Sequence, residues 1–270
     1  MSPTDPPEGR GPVVFVVGDS TASVYEHAIR PRAGWGQALP LLMGRGARTF
    51  DYAWSGASSK SFHDAGKFDV VLDLMQPGDV LLISFGHNDS KTEDPDRGTN
   101  PDTTYREYLT RYVDGACEQG GTPVLVTPVE RRRFDDAGRA RDTHGAYPRA
   151  MRELAETLEV PLIDLTASSK ALWQQLGPEG TLEHFMHLAP GSHPQHPDGA
   201  QDDTHLQAAG ALAVARLVAR GLMEQGIVGG SWFTRFEQEI DPLDELHWPS
   251  ERPLEDARIL SVGPGGLRRR

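Results

Sequence analysis

Transfer of an acyl group needs a nucleophile, a base, a group that orients the base, and donors for the developing oxyanion. This chain holds a candidate for each. Ser20 offers a hydroxyl, His205 an imidazole, Asp202 a carboxylate, and the Gly56 amide and Asn88 carboxamide offer donors, with the Ser20 amide as a third. The i to i+3 spacing of Asp202 and His205 puts both on one side of a turn of chain, so the carboxylate can accept from one ring nitrogen while the other faces the serine. Gly56 has no Cβ, which lets its amide come close to a substrate oxygen. Singly, each of these residues is equally at home in a turn or at a helix cap. Their joint placement along the chain is what points to catalysis.

That placement depends on strands that stop in register. Val13 to Val17 is an unbroken, mostly β-branched run that ends abruptly at Gly18-Asp19-Ser20, as a buried parallel strand does. Further strands are expected at Thr49–Trp54, ending in Ser55-Gly56, and at Val80–Phe85, ending in Gly86-His87-Asn88-Asp89. Two more are expected at Pro123–Thr127 and Pro161–Leu165. Helical periodicity separates them over Trp35–Met43, Phe68–Met75, Tyr105–Ala116, Pro148–Leu158 and Ala167–Leu176. Such alternation predicts an α/β fold with a five-stranded parallel sheet, right-handed crossovers and helices on both faces. Gly177–Asp203 reads as a long loop rich in His, Pro and Gly, delivering Asp202 and His205 just before an alanine-rich helix over Leu206–Met223.

Composition narrows the partners. A net charge of -12 over 270 residues argues against nucleic acid, and no apolar run is long enough for a membrane span. The single Cys117 excludes an internal disulfide framework and a cysteine-based zinc site; its helical segment predicts a core position. Residues 1–11 are polar and proline-rich without the apolar stretch of an export leader. They read as a disordered N-terminus of a cytoplasmic protein. Residues 12–225 read as the catalytic domain. Residues 226–270 read as an extension in which Trp232, Phe233 and Phe236 can pack on the domain or on a partner subunit in a homo-oligomer, with a frayed end from Gly263 to Arg270.

Other polar clusters compete for attention. His184, His187, His193 and His196 form two His-x-x-His pairs, yet a Pro- and Gly-rich loop does not hold them in zinc geometry, so no metal is expected and His193 is assigned to the substrate cleft. Asp142 and His144 are a rival orienter and base with poorer spacing. Arg131 to Arg133 follow the fourth strand in an otherwise acidic chain, and Arg131 and Arg132 are assigned to a substrate carboxylate, which bidentate arginine suits. Trp35 and His87 complete the substrate-binding candidates. No Gly-x-Ser-x-Gly elbow, P-loop or dinucleotide fingerprint occurs.

Gly18-Asp19-Ser20, Gly56, Gly86-His87-Asn88-Asp89 and Asp202 with His205 resemble the four blocks of the SGNH or GDSL hydrolase superfamily. Gly34-Trp35-Gly36-Gln37, Ala53 to Phe62, Thr127 to Arg132, Thr143-His144-Gly145 and Asp203 to Leu206 look like its rhamnogalacturonan acetylesterase branch. The resemblance runs from Val13 to about Met223. It implies a flavodoxin-like three-layer α/β/α fold and a cofactor-free, metal-free serine esterase that removes acetyl groups from pectin-type oligosaccharides. By position, Ser20, Asp202 and His205 would be catalytic and Ser20, Gly56 and Asn88 would form the oxyanion hole. Ala57 stands where that branch often has arginine, and Asp51 where it often has asparagine. A lipase, thioesterase or lysophospholipase, or a non-catalytic carbohydrate-binding protein, are the alternatives.

Overall fold

A computed structural model describes residues 13–44 and 47–250. The apolar runs form strands β1 (Val13–Gly18), β2 (Arg48–Asp51), β3 (Val80–Ser84), β4 (Thr122–Val126) and β5 (Leu162–Ile163) in one all-parallel sheet of order β2-β1-β3-β4-β5. Alternate residues of each strand serve opposite faces. Val14, Val16, Leu82, Val124 and Val126 join one buried cluster, and Val13, Phe15, Val17, Leu81, Ile83 and Leu125 join the other. With both faces covered, a strand has no polar side to show, which is why β1 and β3 are apolar throughout.

The helices are α1 (Trp35–Ala38), α2 (Ser59–Asp64), α3 (Lys67–Leu72), α4 (Thr104–Glu118), α5 (Tyr147–Leu158), α6 (Leu165–Gly180), α7 (Ala208–Glu224) and the short α8 (Pro242–Glu245). Residues of α1, α6 and α7 fill the first cluster and those of α2 to α5 the second, which gives the expected flavodoxin-like α/β/α layers. From β1 the chain runs out to β2 and then returns to β3 on the other side of β1. The order of strands therefore reverses beside β1, and a crevice opens beyond the carboxyl ends at such a switch point.

Three expectations are corrected. Gly177–Asp203 is not a loop: α6 runs on to Gly180 with a break at Gly177 (φ 70°), and a hairpin follows, β6 (Phe185–Leu188) antiparallel to β7 (Ala200–Leu206). Asp202 and His205 therefore sit on a strand rather than in a turn before α7. Cys117 is exposed: the buried face of α4 runs through Tyr105, Leu109, Tyr112, Val113 and Ala116, and the next residue turns out of it.

Beyond α7, Val228, Trp232, Phe233 and Leu246 are buried in the first cluster of their own chain, where the Gly44 amide donates to Trp232 O and the His27 amide to Pro249 O. The expected disorder of residues 1–11 and the frayed end from Gly263 to Arg270 lie outside the described residues. No helix among the described residues is long and apolar enough to cross a membrane.

Candidate active site

Ser20 lies just beyond β1, held by the residue before it. The buried Asp19 accepts from the Thr21 amide (2.9 Å) and hydroxyl (2.8 Å), and its backbone oxygen accepts from the Ser23 hydroxyl (2.9 Å). Burial raises the Asp19 carboxyl above its ordinary range, partly offset by the Thr21 bonds. The Tyr25 hydroxyl donates to Ser20 O at 2.6 Å and receives a bond from Arg32 (2.9 Å). The nucleophile candidate is thus fixed from both sides.

Gly56 follows β2 at φ +87°, a conformation that L side chains rarely adopt. No atom lies near where its Cβ would stand, so the demand for glycine comes from the backbone rather than from crowding. Asn88 follows β3 and donates one amide hydrogen to Ala57 O (2.8 Å), which ties the third strand end to the second and leaves its other hydrogen available. Asp89 beside it is fully buried, accepting from the Ser59 hydroxyl (2.5 Å), the Ser59 amide (3.1 Å) and the Thr99 hydroxyl (3.2 Å). Burial pushes its carboxyl up to about 7 despite those donors. Among the described residues, neither the Ser20 nor the Gly56 amide donates a hydrogen bond.

The hairpin brings the remaining pair. On a regular strand, positions 202 and 205 would face opposite ways. Here the pairing shifts between Phe185 and Met186, and Asp202 Oδ1 accepts from the amides of Thr204 (2.8 Å) and His205 (3.0 Å), which folds the strand locally. The result is Asp202 Oδ2 to His205 Nδ1 at 2.6 Å and His205 Nε2 to Ser20 Oγ at 3.0 Å. Burial would raise the Asp202 carboxyl, but the imidazole hydrogen bond, its charge and the two amides outweigh this and hold it well below the usual range. An ionised carboxylate beside Nδ1 keeps the proton there and leaves Nε2 free to accept from the serine.

These groups share one cleft of about 390 Å³, lined by Ser20, Gly56, Asn88, Asp202 and His205 together with Arg32, Ser55, His87, Lys91, Arg131 and Thr204. His87 and Arg131 are where the sequence assigned them. Trp35, Arg132 and His193 are not. Trp35 is fully buried in the core under α7, and His193 sits at the hairpin tip across from His196. Arg132 is neutralised by Asp203 (3.1 Å) and donates to Pro178 O and the Thr181 hydroxyl, so it ties the hairpin down instead of facing substrate. The rival Asp142 is exposed against Lys170 (2.6 Å), while His144 is buried with Nε2 on Val129 O (2.8 Å), so the two diverge.

His184 and His187 are also spoken for, by Gly180 O (3.2 Å) and Asp203 (2.7 Å). No group of three or more histidine, cysteine or acidic residues among those described could hold a metal. Arg32, Ser55, Lys91 and Thr204 line the cleft without being site candidates from the sequence, although Ser55 and Thr204 fall in stretches singled out there. Lys91 carried a signal too, being one turn of chain past Asn88.

The fold and this cleft define a hydrolase class, and the GDSL-like lipase/acylhydrolase family model matches residues 16–213. The chain belongs to that family and is a carboxylic ester hydrolase by it. It is 45% identical to rhamnogalacturonan acetylesterase RhgT of Bacillus subtilis over 79% of this chain and 90% of that one. It is 35% identical to a probable rhamnogalacturonan acetylesterase, YesY, of the same organism over 79% and 94%. Among solved structures, Bacillus subtilis YxiM superposes with a TM-score of 0.70 at 28% identity, over 81% of this chain and 58% of that one. The acetylxylan esterase Axe2 of Geobacillus stearothermophilus shares the fold at a TM-score of 0.56 and 19% identity, over 80% and 95%.

Proposed function

We propose that this protein removes acetyl groups from carbohydrate hydroxyls, with rhamnogalacturonan-derived oligosaccharides as natural substrates, using Ser20, His205 and Asp202 through an acetyl-enzyme. The observation that carries the reading is His205 bridging Asp202 and Ser20 at 2.6 and 3.0 Å, next to two amides that have no acceptor among the described residues. Relatives named as rhamnogalacturonan acetylesterases support the sugar. A cleft lined entirely by glycine and polar side chains offers no hydrocarbon wall for a long acyl chain, which argues against lipase and lysophospholipase readings.

In the first half-reaction Ser20 Oγ attacks the acetyl carbonyl carbon as its proton passes to His205 Nε2. The carbonyl oxygen becomes an oxyanion held by the Ser20 and Gly56 amides and Asn88 Nδ2. The C–O bond to the sugar then breaks, the sugar oxygen takes the proton from His205, and Ser20 is left acetylated. In the second, water gives a proton to His205 and its oxygen attacks the acetyl carbon. Acetate leaves as Ser20 Oγ recovers the proton. Asp202 stays ionised throughout and stabilises the imidazolium.

Acetate release from acetylated rhamnogalacturonan oligosaccharides, with labelling of Ser20 by a fluorophosphonate, tests this. Ser20→Ala should lower kcat by about 10³-fold or more without a change in Tm. Undiminished hydrolysis by that variant, or failure of the wild type to release acetate from any carbohydrate ester, would overturn the reading.

A further inference from the structure

The stretch past α7 returns to the loop between β1 and α1. Trp232, Phe233 and Leu246 are buried in the first cluster and Trp248 packs on it, so residues 241–249 are delivered to a fixed place beside that loop. The loop itself joins Ser20 to His205. At its start the Tyr25 hydroxyl donates to Ser20 O (2.6 Å). At its end the Ala33 amide donates to Leu206 O and the Ala208 amide to Pro31 O, both at 3.0 Å, so the residue next to His205 is bonded to the loop. Between them Arg32 lies 4.4 Å over the Tyr25 ring and lines the cleft. Residues 25–33 are therefore a spacer between a serine and a histidine whose side chains meet at 3.0 Å.

The spacer does not fix itself. Its middle is a single 3-10 turn, His27–Ile29, with no buried residue, and a stretch that buries nothing takes its position from the bonds it makes to the rest of the chain. For this turn and Arg30 those come mostly from the extension. The His27 amide donates to Pro249 O (2.8 Å), Arg30 Nη2 donates to Leu243 O (2.5 Å), and the Arg30 guanidinium lies 5.5 Å over the Trp248 ring. Asp244, 4.0 Å from the same guanidinium, is exposed and adds little. The hairpin tip contributes one longer contact, His196 Nε2 with Ile29 O at 3.3 Å.

Gln37 works from the core side. It is buried on α1, where its Oε1 accepts from the Tyr25 amide (3.1 Å) while its Nε2 donates to Tyr25 O (3.2 Å) and to His247 O (2.8 Å). One carboxamide thus joins the extension to the residue that holds Ser20. The extension grips throughout with backbone carbonyls, those of Leu243, His247 and Pro249, so its hold on the spacer needs the path of its chain and the Trp248 ring more than its other side chains.

Resting on the acetylesterase reading, we propose that residues 241–249 belong to the catalytic frame: they brace the spacer so that His205 stays within hydrogen-bond reach of Ser20, with Arg30, Gln37 and Trp248 as positioning residues. All three lie outside the lining of the cleft. Without the brace the spacer samples more positions, and the rate falls with the fraction of molecules in which the base is in place. An error of about 1 Å in such a geometry can cost up to about 10²-fold in rate. His205 serves both half-reactions, so loss of bracing lowers kcat while the groups that set KM stay where they are.

Hydrolysis of a neutral aryl acetate by the full chain tests this, together with the rate at which a fluorophosphonate labels Ser20, both well below the Tm of each variant. Arg30→Ala and Trp248→Ala should each lower kcat by about 10-fold with KM within about twofold of the wild type. Labelling should slow by the same factor, since it reads activation of the serine directly. The double variant should be little worse than either single change, because both remove one contact. Trp248→Phe, which keeps a ring under Arg30, should retain most of the activity. Arg216→Ala is the control: it breaks another bond that ties the extension down, to Gln238 O at 2.7 Å, away from the spacer, and should leave kcat and labelling unchanged. Should Trp248→Ala not fold, Arg30→Ala against Arg216→Ala decides. A kcat for Arg30→Ala within about twofold of the wild type, or an equal loss in Arg216→Ala, would overturn the brace and leave the esterase reading intact. A wild type that neither releases acetate from any ester nor takes the fluorophosphonate would instead remove the reading on which it rests.

Discussion

Two pairs of acids hold the candidate site together, and they do so in opposite electrical conditions. Asp19 and Asp89 flank Ser20 and Asn88 at the sheet edge, fully buried, with carboxyls raised by burial and satisfied by neutral donors. Asp202 and Asp203 sit on the hairpin, partly exposed, and bond to nitrogen donors: Asp202 to the His205 imidazole, Asp203 to the Arg132 and Arg133 guanidiniums and the His187 ring. The sheet edge is positioned by packing and hydrogen bonds made when the core forms. The hairpin is a two-stranded ribbon, marginal by itself, rooted in the core through Phe185 and Leu206 and tied near the serine by the arginine pairs on Asp203. On the mechanism proposed above, the difference separates two tasks: holding a nucleophile and oxyanion donors still, and delivering a base whose partner stays ionised.

The sharpest break of that comparison is Asp202→Asn. The carboxamide oxygen can still accept from the Thr204 and His205 amides, so the local fold survives, but the ionised partner that fixes the His205 tautomer is gone. A fall in kcat of about 10³ to 10⁴-fold is expected, with Tm nearly unchanged. A loss under tenfold would show that the hairpin acid orients nothing.

Asp89→Asn probes the other region through pH. The folded-state carboxyl lies at about 7 and the unfolded one near 3.8, so the unfolded chain ionises first as pH rises. The stability contributed by this group is full below the unfolded value, declines between about pH 4 and 7, and is flat above. The wild type should therefore lose about 4 kcal/mol relative to Asp89→Asn across that window, at about 1.4 kcal/mol per pH unit, read from urea midpoints of both proteins. A constant difference between them would mean that Asp89 is ionised throughout.

The same division explains what could be read from the chain. Buried parallel strands announce themselves as runs such as Val13–Val17 and Val80–Ile83, and each stops at glycine and polar residues, so Ser20, Gly56 and Asn88 were found together with the fold. The hairpin escaped because β7 reads Ala-Gln-Asp-Asp-Thr-His-Leu, with no alternation of apolar residues to mark a strand. Asp202 and His205 were recognised by type and spacing while their local geometry was misjudged. The arginine triplet shows a further limit. Which of Arg131, Arg132 and Arg133 faces the cleft is decided by Asp203, some 70 positions on, and no local pattern carries that. Trp35 belongs to a motif near the site, yet its indole is core.

Asp203→Asn gives the smallest effect and tests the hairpin's tether. The change removes charge from a site that receives Arg132 (3.1 Å), His187 (2.7 Å) and Arg133, while the bond from the Arg132 amide to Asp203 O (2.8 Å) remains. Pairs of this exposure are worth about 1 kcal/mol or less each, so global stability should move little. The same energy spent on keeping His205 over Ser20 appears as a severalfold drop in kcat/KM, because fewer molecules hold the base in place. A neutral aryl acetate is the substrate of choice, since its binding is indifferent to the cations of the cleft. Salt should slow the wild type toward the variant and leave the variant unaffected. If the variant keeps full activity at low salt, packing rather than charge seats the hairpin, and the two halves of the site are held by the same physics.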